Sequence, residues 1–597
     1  MQNTFRKFIA IFIITLLPAG FLFAQVKADK IWITTKLSEK FYDKDGNPLT
    51  GKGIVVGDVD SGIDVFHPMF FFADGGDFNW IDVNGNGIFE PGKDAVDLNS
   101  NGKADAGETL NYVDLKNDTY IIKSDPKVYE PDMDFLFIDK NGNGKRDFGE
   151  KDGFTEADPT YGEQYLITRD ANNNNKLDVG EKLTALQTSK VKAVREKSGN
   201  IRRRGVDLIK TEFDSIGHGT GVSGILLGGH YGVQKLHGIA PDAEIVMANI
   251  KYNYTPRFVT TFPEMLTFLR TEGINVLLFE DGEWMYEYMD GSTEEEELTN
   301  EMARSGITII GGGGNLADGN MHIKDTIPAN VVRTYNFSSP KEAEGKKNDG
   351  AFVSFLWRQP EVNISFKIKT PDGTVTSGLK DGSEILKSGK YNIYYERSVS
   401  PKGTVMFQFG ISEKDSGTVD GDWSVEVVSP ENVILDGFIV DVTQSWGGST
   451  RWKSDKITGD GTVTFPCTAD SCIAVGAYTV NYEWPGYGKL DDLCSYSGRG
   501  FNINGKMGID ICAPGHTTFT TSTNNGYGIF SGTSSAAPHV VGAVVLMLQY
   551  DKTLTHSQIR NILNSTATQD SFTGSVPNTN WGFGKLNTEA AIKYLMK

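Results

Sequence analysis

Four short segments of this chain carry residue types able to do nucleophilic chemistry. Asp60 ends the run Gly53-Ile54-Val55-Val56-Gly57-Asp58-Val59-Asp60, and Ser61-Gly62 follows it. His218 opens His218-Gly219-Thr220-Gly221-Val222-Ser223-Gly224. Ser534 sits in Ser531-Gly532-Thr533-Ser534-Ser535-Ala536-Ala537-Pro538-His539, and Asn315 follows four consecutive glycines, Gly311 to Gly314. A serine hydroxyl becomes a useful nucleophile when a neighbouring base takes its proton. Imidazole does this near neutral pH, and a carboxylate behind it fixes the tautomer. An Asn amide can donate to the oxyanion that forms. Singly, each segment has an ordinary reading: a strand-end cap, a packed His, an N-cap Ser. Together they point to acyl transfer.

The elements that must position them are legible. Residues 53–60 read as a short, β-branched, buried strand. Further strands are expected at 243–250, 274–279, 307–310 and 472–477, with helical stretches between several of them. That alternation argues for an α/β fold with a mostly parallel sheet covered on both faces, whose site lies at the carboxyl ends of the strands. His218 should start a helix whose small face packs close to the sheet. Ser534 should start a helix that is apolar nearly all round and so buried. There the helix dipole and free N–H groups favour negative charge. Pro538 is expected in that helix's first turn.

With these segments in view, the chain resembles the subtilisin-like serine proteases (subtilases). Asp60-Ser61-Gly62, His218 to Gly224 and Gly532 to His539 match that family's three catalytic motifs. Asn315 falls where the family has its oxyanion-hole asparagine. Gly238-Ile239-Ala240-Pro241, Phe465-Pro466, Ser495 to Gly500, Ala513-Pro514-Gly515 and Trp581 to Asn587 also match. The resemblance implies a subtilisin-like three-layer fold, an Asp60–His218–Ser534 triad and peptide-bond hydrolysis. It departs from the family pattern in three places. Gly221 replaces a second histidine. Ser535 stands where many members have an oxidisable Met. Glu280-Asp281-Gly282, followed by Glu283, replaces the usual Ser-x-Gly at the substrate edge. Glu280, Asp281, Gly282, Gly312 and Gly313 are therefore candidate substrate-binding residues. The acidic ones would favour basic side chains, against the plainer reading of a solvated loop. Glu294 to Glu297 reads as the exposed start of a helix. No propeptide of the usual inhibitory size is visible between Gln25 and the first strand.

Two insertions interrupt the pattern. Between Asp60 and His218 an acidic loop motif repeats. One copy runs Asp97, Asn99, Asn101, Lys103, Asp105, Glu108. A second runs Asp139, Asn141, Asn143, Lys145, Asp147, Glu150. A third runs Asp170, Asn172, Asn174, Lys176, Asp178, Glu181. These offer oxygen donors at alternate residues and a closing Glu, as in EF-hand calcium loops. A weaker copy starts at Asp82 but has Lys93 in the closing position. The copies at Asp82 and Asp97 are too close for a helix between them, so EF-hand-like loops without the helix pairs are expected. Residues 74–182 hold 24 acidic and 12 basic side chains, so this segment carries most of the chain's net charge and should need several structural calcium ions. Residues 325–460 alternate apolar and polar between recurring turns, which reads as a β-sandwich.

The chain's 597 residues thus divide into 1–24, a signal peptide; 25–73, 183–324 and 461–597, the catalytic blocks; and 74–182 and 325–460, the insertions. Arg6-Lys7, an apolar stretch broken by Pro18 and Gly20, and Ala24 make the signal peptide, so export to the exterior or a periplasm is expected. No later run is apolar enough to span a bilayer. The net charge of -19 argues against nucleic acid as partner. Protein or peptide substrates are expected instead. Cys467, Cys472, Cys494 and Cys512 allow three pairings or free thiols. Two other functions stay open: an aminopeptidase-like subtilase that trims chain ends, and a catalytically silent calcium-dependent binding protein.

Overall fold

The computed structural model describes residues 41–117, 125, 127–234, 236–250, 261–415, 417–444, 448–481 and 488–597. The proposed signal peptide lies outside them.

At the centre is an eight-stranded sheet. In chain order its strands are β1 (Val55–Asp60), β2 (Val191–Arg195), β3 (Ile201–Arg203), β4 (Glu244–Asn249), β5 (Val276–Phe279), β6 (Thr308–Gly312), β7 (Ile473–Thr479) and β8 (Ile511–His516). Their order across the sheet is β3-β2-β4-β1-β5-β6-β7-β8, and every pair is parallel except β3 with β2. β1 is therefore interior, with Asp60 opposite Asn249 of β4. The expected strands are all present, and β2, β3 and β8 add to them.

Among the described residues six helices accompany the sheet: α1 (His218–Leu227), α2 (Phe262–Thr271), α3 (Glu294–Arg304), α4 (Thr533–Tyr550), α5 (His556–Thr566) and α6 (Thr588–Leu595). Val222, Leu226, Val540 and Val544 of α1 and α4 share a core with Val56, Met247, Val276 and Ile310 on one face of the sheet. Met265 and Leu269 of α2 and Met302 of α3 pack with Val59, Val246, Leu277 and Ile309 on the other. The result is three layers. Every residue of α4 from Thr533 to Leu548 is buried, and each large apolar side chain so placed contributes about 1.5–3 kcal/mol.

Pro538 is the sixth residue of α4, not in its first turn. Its missing N–H is the one that would have bonded the Ser534 carbonyl, so the proline leaves that carbonyl without a helical partner. At α3, Thr293 and Glu296 form a capping box, yet Glu295 and Glu296 are buried, so only part of this helix start faces water.

Within residues 74–182 the structure has more order than a string of loops. Ala95–Asp97, Asp77–Ile81, Lys182–Ala185, Tyr165–Thr168, Phe135–Ile138 and Leu110–Val113 form, in that order, an antiparallel sheet. Phe135, Phe137, Tyr165 and Ile167 join the core between the central sheet and α1 and α4, while Trp80, Leu136, Ile138 and Leu166 form a small core of their own. Each acidic loop begins where a strand of this sheet ends.

Among the described residues between β6 and β7 lie two larger antiparallel sheets and a two-stranded one, Glu342–Ala343 with Lys346–Lys347. One larger sheet contains His322–Ile327, Val433–Asp441, Gly350–Trp357, Val405–Glu413, Tyr391–Val399 and Ser383–Ser388; the other contains Ser365–Lys369, Gly421–Val428, Val332–Ser339 and Arg451–Lys453. Phe355, Trp357, Phe366, Phe407 and Trp423 fill the space between them. Among the described residues no helix is long and apolar enough to cross a membrane.

Candidate active site

Asp60 ends β1, and His218 is the first residue of α1. His218 Nδ1 lies 2.8 Å and 2.9 Å from the two Asp60 carboxyl oxygens. The helix can come this close because of Gly219. A Cβ there would lie 2.2 Å from the Gly62 carbonyl oxygen and 3.1 Å from Asp60 Cγ. Asp60 also accepts from Ser61 N at 2.5 Å. Ser61 Oγ accepts from Gly219 N at 3.0 Å and donates to Asp214 at 2.9 Å. Asp214 accepts as well from Gly217 N, Thr220 N and Thr220 Oγ1. This buried carboxyl clamps the start of α1 to the end of β1, and sequence reasoning missed it. Its signal was an Asp four residues ahead of a helix-opening His. Burial pulls the His218 pKa down, but Asp60, with Asp281 and Asp214 beyond it, more than reverses this and leaves it above the usual value.

Ser534 is the second residue of α4, after Gly532 at φ 132°, a conformation that favours glycine. Asn315 Oδ1 accepts from Thr533 N at 2.8 Å and Thr533 Oγ1 at 3.2 Å. These two donors fix the amide with its oxygen toward Thr533 and leave its NH₂ free to donate. Among the described residues no hydrogen bond joins the Ser534 hydroxyl to His218; the side chain against that hydroxyl is Glu280. Asp60, His218, Ser534 and Asn315 are thus gathered at one end of the sheet.

The substrate-edge candidates lie close by, but not as a solvated loop. Glu280 has both carboxyl oxygens buried and without hydrogen-bond partners, and one Asp281 oxygen is in the same condition. Burial pushes both carboxyls well above the usual range, and their acidic neighbours add to it. Glu283 accepts from Trp284 N and Met285 N, and burial raises its pKa to about 7. Gly282 and Gly314 sit either side of Thr464, whose buried hydroxyl has no partner. The bare face of Gly312 packs on Thr533, and that of Gly313 on Ile509 and Val475. The close approach these two glycines permit is that of α4 and β7.

The acidic loops share one geometry. In the first, Asp97 accepts from Asn101 N and Gly102 N. Asn99 and Asn101 both donate to Asp105. Glu108 then bridges Leu98 N and Asp105 N. Asn141, Asn143 and Asp147 repeat this around Asp139, as do Asn172, Asn174 and Asp178 around Asp170. In the third copy Glu181 makes the closing bridge. In the second it is made by Glu163, which takes Lys140 N and Asp147 N. Glu150, expected there, points instead to Lys210 at 3.4 Å. In the weak copy Asp94, one residue beyond Lys93, bridges Val83 N and Glu90 N. Among the described residues no group of three or more His, Cys, Asp or Glu converges as a metal site. The loop donors are carboxylate and amide oxygens, a set that fits a hard cation such as calcium. All four cysteines are buried thiols, with Cys467 Sγ 3.9 Å from Cys472 Sγ.

Comparison with known proteins bears on this arrangement. A family model described as the subtilase family matches residues 51–261 and 443–584, more than half of the chain. Subtilisin DY of Bacillus licheniformis is 38% identical over 134 residues, 22% of this chain and 41% of that protein. Alkaline elastase YaB of Bacillus sp. (strain YaB) is 36% identical over 136 residues, 23% of this chain and 31% of that one. The chain thus spans less than half the length of these curated relatives. In structure it is similar to the CspB protease of Clostridium perfringens, with a TM-score of 0.63, 17% identity, and coverage of 96% of this chain and 98% of that one. This likeness is one of fold.

Proposed function

The chain belongs to the subtilase family, and from that premise we propose that it is an exported serine endopeptidase. The observation that carries the proposal is the bidentate approach of His218 Nδ1 to Asp60, with Ser534 at the N-terminus of a buried helix and Asn315 tethered beside it. In this reading His218 Nε2 takes the Ser534 proton as Oγ attacks the scissile carbonyl, then returns it to the leaving amine. Asp60 holds the tautomer and stabilises the imidazolium. The Asn315 NH₂ and the Ser534 N–H receive the oxyanion. Losing one such donor costs about 10²–10³ in kcat. Water then releases the acyl-enzyme. Hydroxyl and imidazole must swing together on substrate binding, as apo catalytic hydrogen bonds often do.

The substrate strand would run between the segments at Gly282 and at Gly312–Gly313. Asp281 and Glu283 would tilt preference toward basic side chains, each ionising as a cation enters. Calcium would be structural, held by Asp97, Asn99, Asn101, Lys103, Asp105 and Glu108, by Asp139, Asn141, Asn143, Lys145, Asp147 and Glu163, and by Asp170, Asn172, Asn174, Lys176, Asp178 and Glu181. The lysines would contribute backbone carbonyls. The two larger antiparallel sheets of residues 322–453 would form a β-sandwich insertion in the catalytic unit.

Casein hydrolysis by the full chain, with and without excess chelator and beside Ser534→Ala, tests this. Internal cleavage by the wild type alone is the expected result. Stepwise loss from a chain end would make it an exopeptidase. No cleavage with calcium present, even of short peptides, would overturn the proposal in favour of a silent binding scaffold.

A further inference from the structure

The buried face that carries Asp60 holds two more carboxyls that the triad does not use. Val59 of β1 lies opposite Phe279 of β5, and Glu280 N donates to Val59 O at 3.2 Å. Carried one residue on, this register sets Glu280 beside Asp60. Asp58 lies two residues before Asp60 and so on the same face. Asp60 has donors, His218 Nδ1 and Ser61 N. Asp58 is fully buried, and neither its oxygens nor those of Glu280 have a partner. The charged groups against Glu280 are all acidic: Asp58 and Asp60 on β1, and Asp281 next to it in the chain. His218, on α1, is taken by Asp60 and faces Asp281. The remaining neighbour, from α4, is the Ser534 hydroxyl, which lies near the Glu280 carboxyl without a hydrogen bond to it.

Carboxyls this close and this dry cannot all ionise. The one with donors keeps the charge and the others keep protons. A neutral acid beside Ser534 competes weakly for its hydroxyl proton. An ionised one accepts that proton strongly, and it places negative charge against the oxygen from which His218 must draw a proton.

Resting on the reading of Ser534 as nucleophile, we propose that Glu280 controls the nucleophile by its charge: it must be protonated for Ser534 to react, and its ionisation switches Ser534 off. Protonated, it lets the Ser534 hydroxyl turn to His218. Ionised, it captures that hydroxyl. Reactivity then has two limbs. It rises as His218 loses its proton and falls again as Glu280 loses its own. Burial, Asp60 and Asp58 all push the second event to high pH.

The test is the rate at which a fluorophosphonate probe labels Ser534, followed from about pH 5 to about pH 10. The full chain with calcium is used, as wild type, Glu280→Gln and Asp58→Asn, each checked for a cooperative thermal transition. Glu280→Gln should keep the acid limb and lose the alkaline fall. About two pH units above the wild-type midpoint it should label about 100-fold faster than wild type, as loss of one essential proton requires. Asp58→Asn takes away the other buried carboxyl that would ionise against Glu280 as pH rises, and with that competitor gone the fall should move to lower pH. It carries the test if Glu280→Gln does not fold. Superimposable alkaline limbs in wild type and folded Glu280→Gln, or no shift in Asp58→Asn, would overturn the proposal while leaving the serine-nucleophile reading standing. No labelling of wild type at any pH would overturn that reading and this proposal with it.

Discussion

Gly219→Ala is the sharpest single test of how this site is assembled. The new methyl would stand 2.2 Å from the Gly62 carbonyl oxygen, with Asp60 Cγ and Cβ at 3.1 Å and 3.2 Å. Two of these three are tight but bearable; the carbonyl contact is not. Moving it out to about 3.2 Å takes about 1 Å of travel. That travel separates the start of α1 from the end of β1, and so acts on the 2.8 Å and 2.9 Å contacts between His218 and Asp60. Stretched by about 1 Å they leave hydrogen-bond range. Misplacement of that size costs about 10² in rate, or about 2.7 kcal/mol of barrier. Overpacking costs a further ~1–3 kcal/mol of stability. Because Gly219 is helical, alanine adds no backbone strain, and the effect isolates the contact. The measurement is kcat/KM on a peptide, normalised to folded protein, beside Tm. A folded variant within about threefold of wild type would refute the argument that glycine here sets the His218–Asp60 distance.

Three other outcomes are expected. Glu163→Gln should lower the calcium-dependent rise in Tm while Glu150→Gln leaves it unchanged, since Glu163 bridges the loop at Asp139 and Glu150 points away to Lys210; equal effects would restore the sequence-based assignment. Peroxide should inactivate the enzyme slowly, because Ser535, bonded to Thr518 Oγ1 at 2.7 Å, offers no sulfur beside the nucleophile; loss within minutes with a modified neighbour of Ser534 would count against this. Glu283, whose folded pKa is raised from 4.5 to about 7, binds its proton more tightly in the folded state. On its account stability is greatest below pH 4.5 and is lost as pH rises toward about 7. Glu283→Gln should flatten that part of a Tm–pH curve, and an unchanged curve would show that the group is solvated.

What the sequence revealed follows from where the physics is local. β1, β4, β5, β6 and β7 are short apolar runs closed by turn residues, and the proposed catalytic side chains stand at strand ends or at helix starts. β2 escaped because Lys192 and Arg195 interrupt its pattern, and β8 because Pro514 and Gly515 argue against a strand. The antiparallel sheet inside residues 74–182 escaped because its strands are short and set among Asp, Asn and Gly. Glu280 was readable with one more step. Val276 and Leu278 face the α1–α4 core, and the period-two alternation carries that face to residue 280. That places its carboxyl inside the sheet's buried layer, not along the cleft wall. Glu163 was not readable, since it reaches the loop at Asp139 from another part of the chain.

The acidic insertion reaches the candidate site through a hairpin. Lys116–Asn117 pairs in parallel with Gly526–Tyr527, and Tyr527 Oη donates to Met133 O at 3.2 Å. His67 Nε2 donates to Gly526 O at 3.1 Å. The same hairpin, Thr518–Ser522 with Gly526–Phe530, holds α1 through Thr520 Oγ1 to Gly221 O and Thr521 Oγ1 to Thr220 O. Its last residue, Phe530, packs edge-on against His218 at 5.1 Å, and Ser534 follows four residues later. Loosening the insertion would therefore act, through this hairpin, on both His218 and the segment that leads to Ser534. If cations order the insertion, chelation should lower fluorophosphonate labelling of Ser534 in step with Tm. A large fall in Tm with labelling unchanged at low temperature would mean that the hairpin is held by its contacts outside the insertion, and that the insertion only protects the fold.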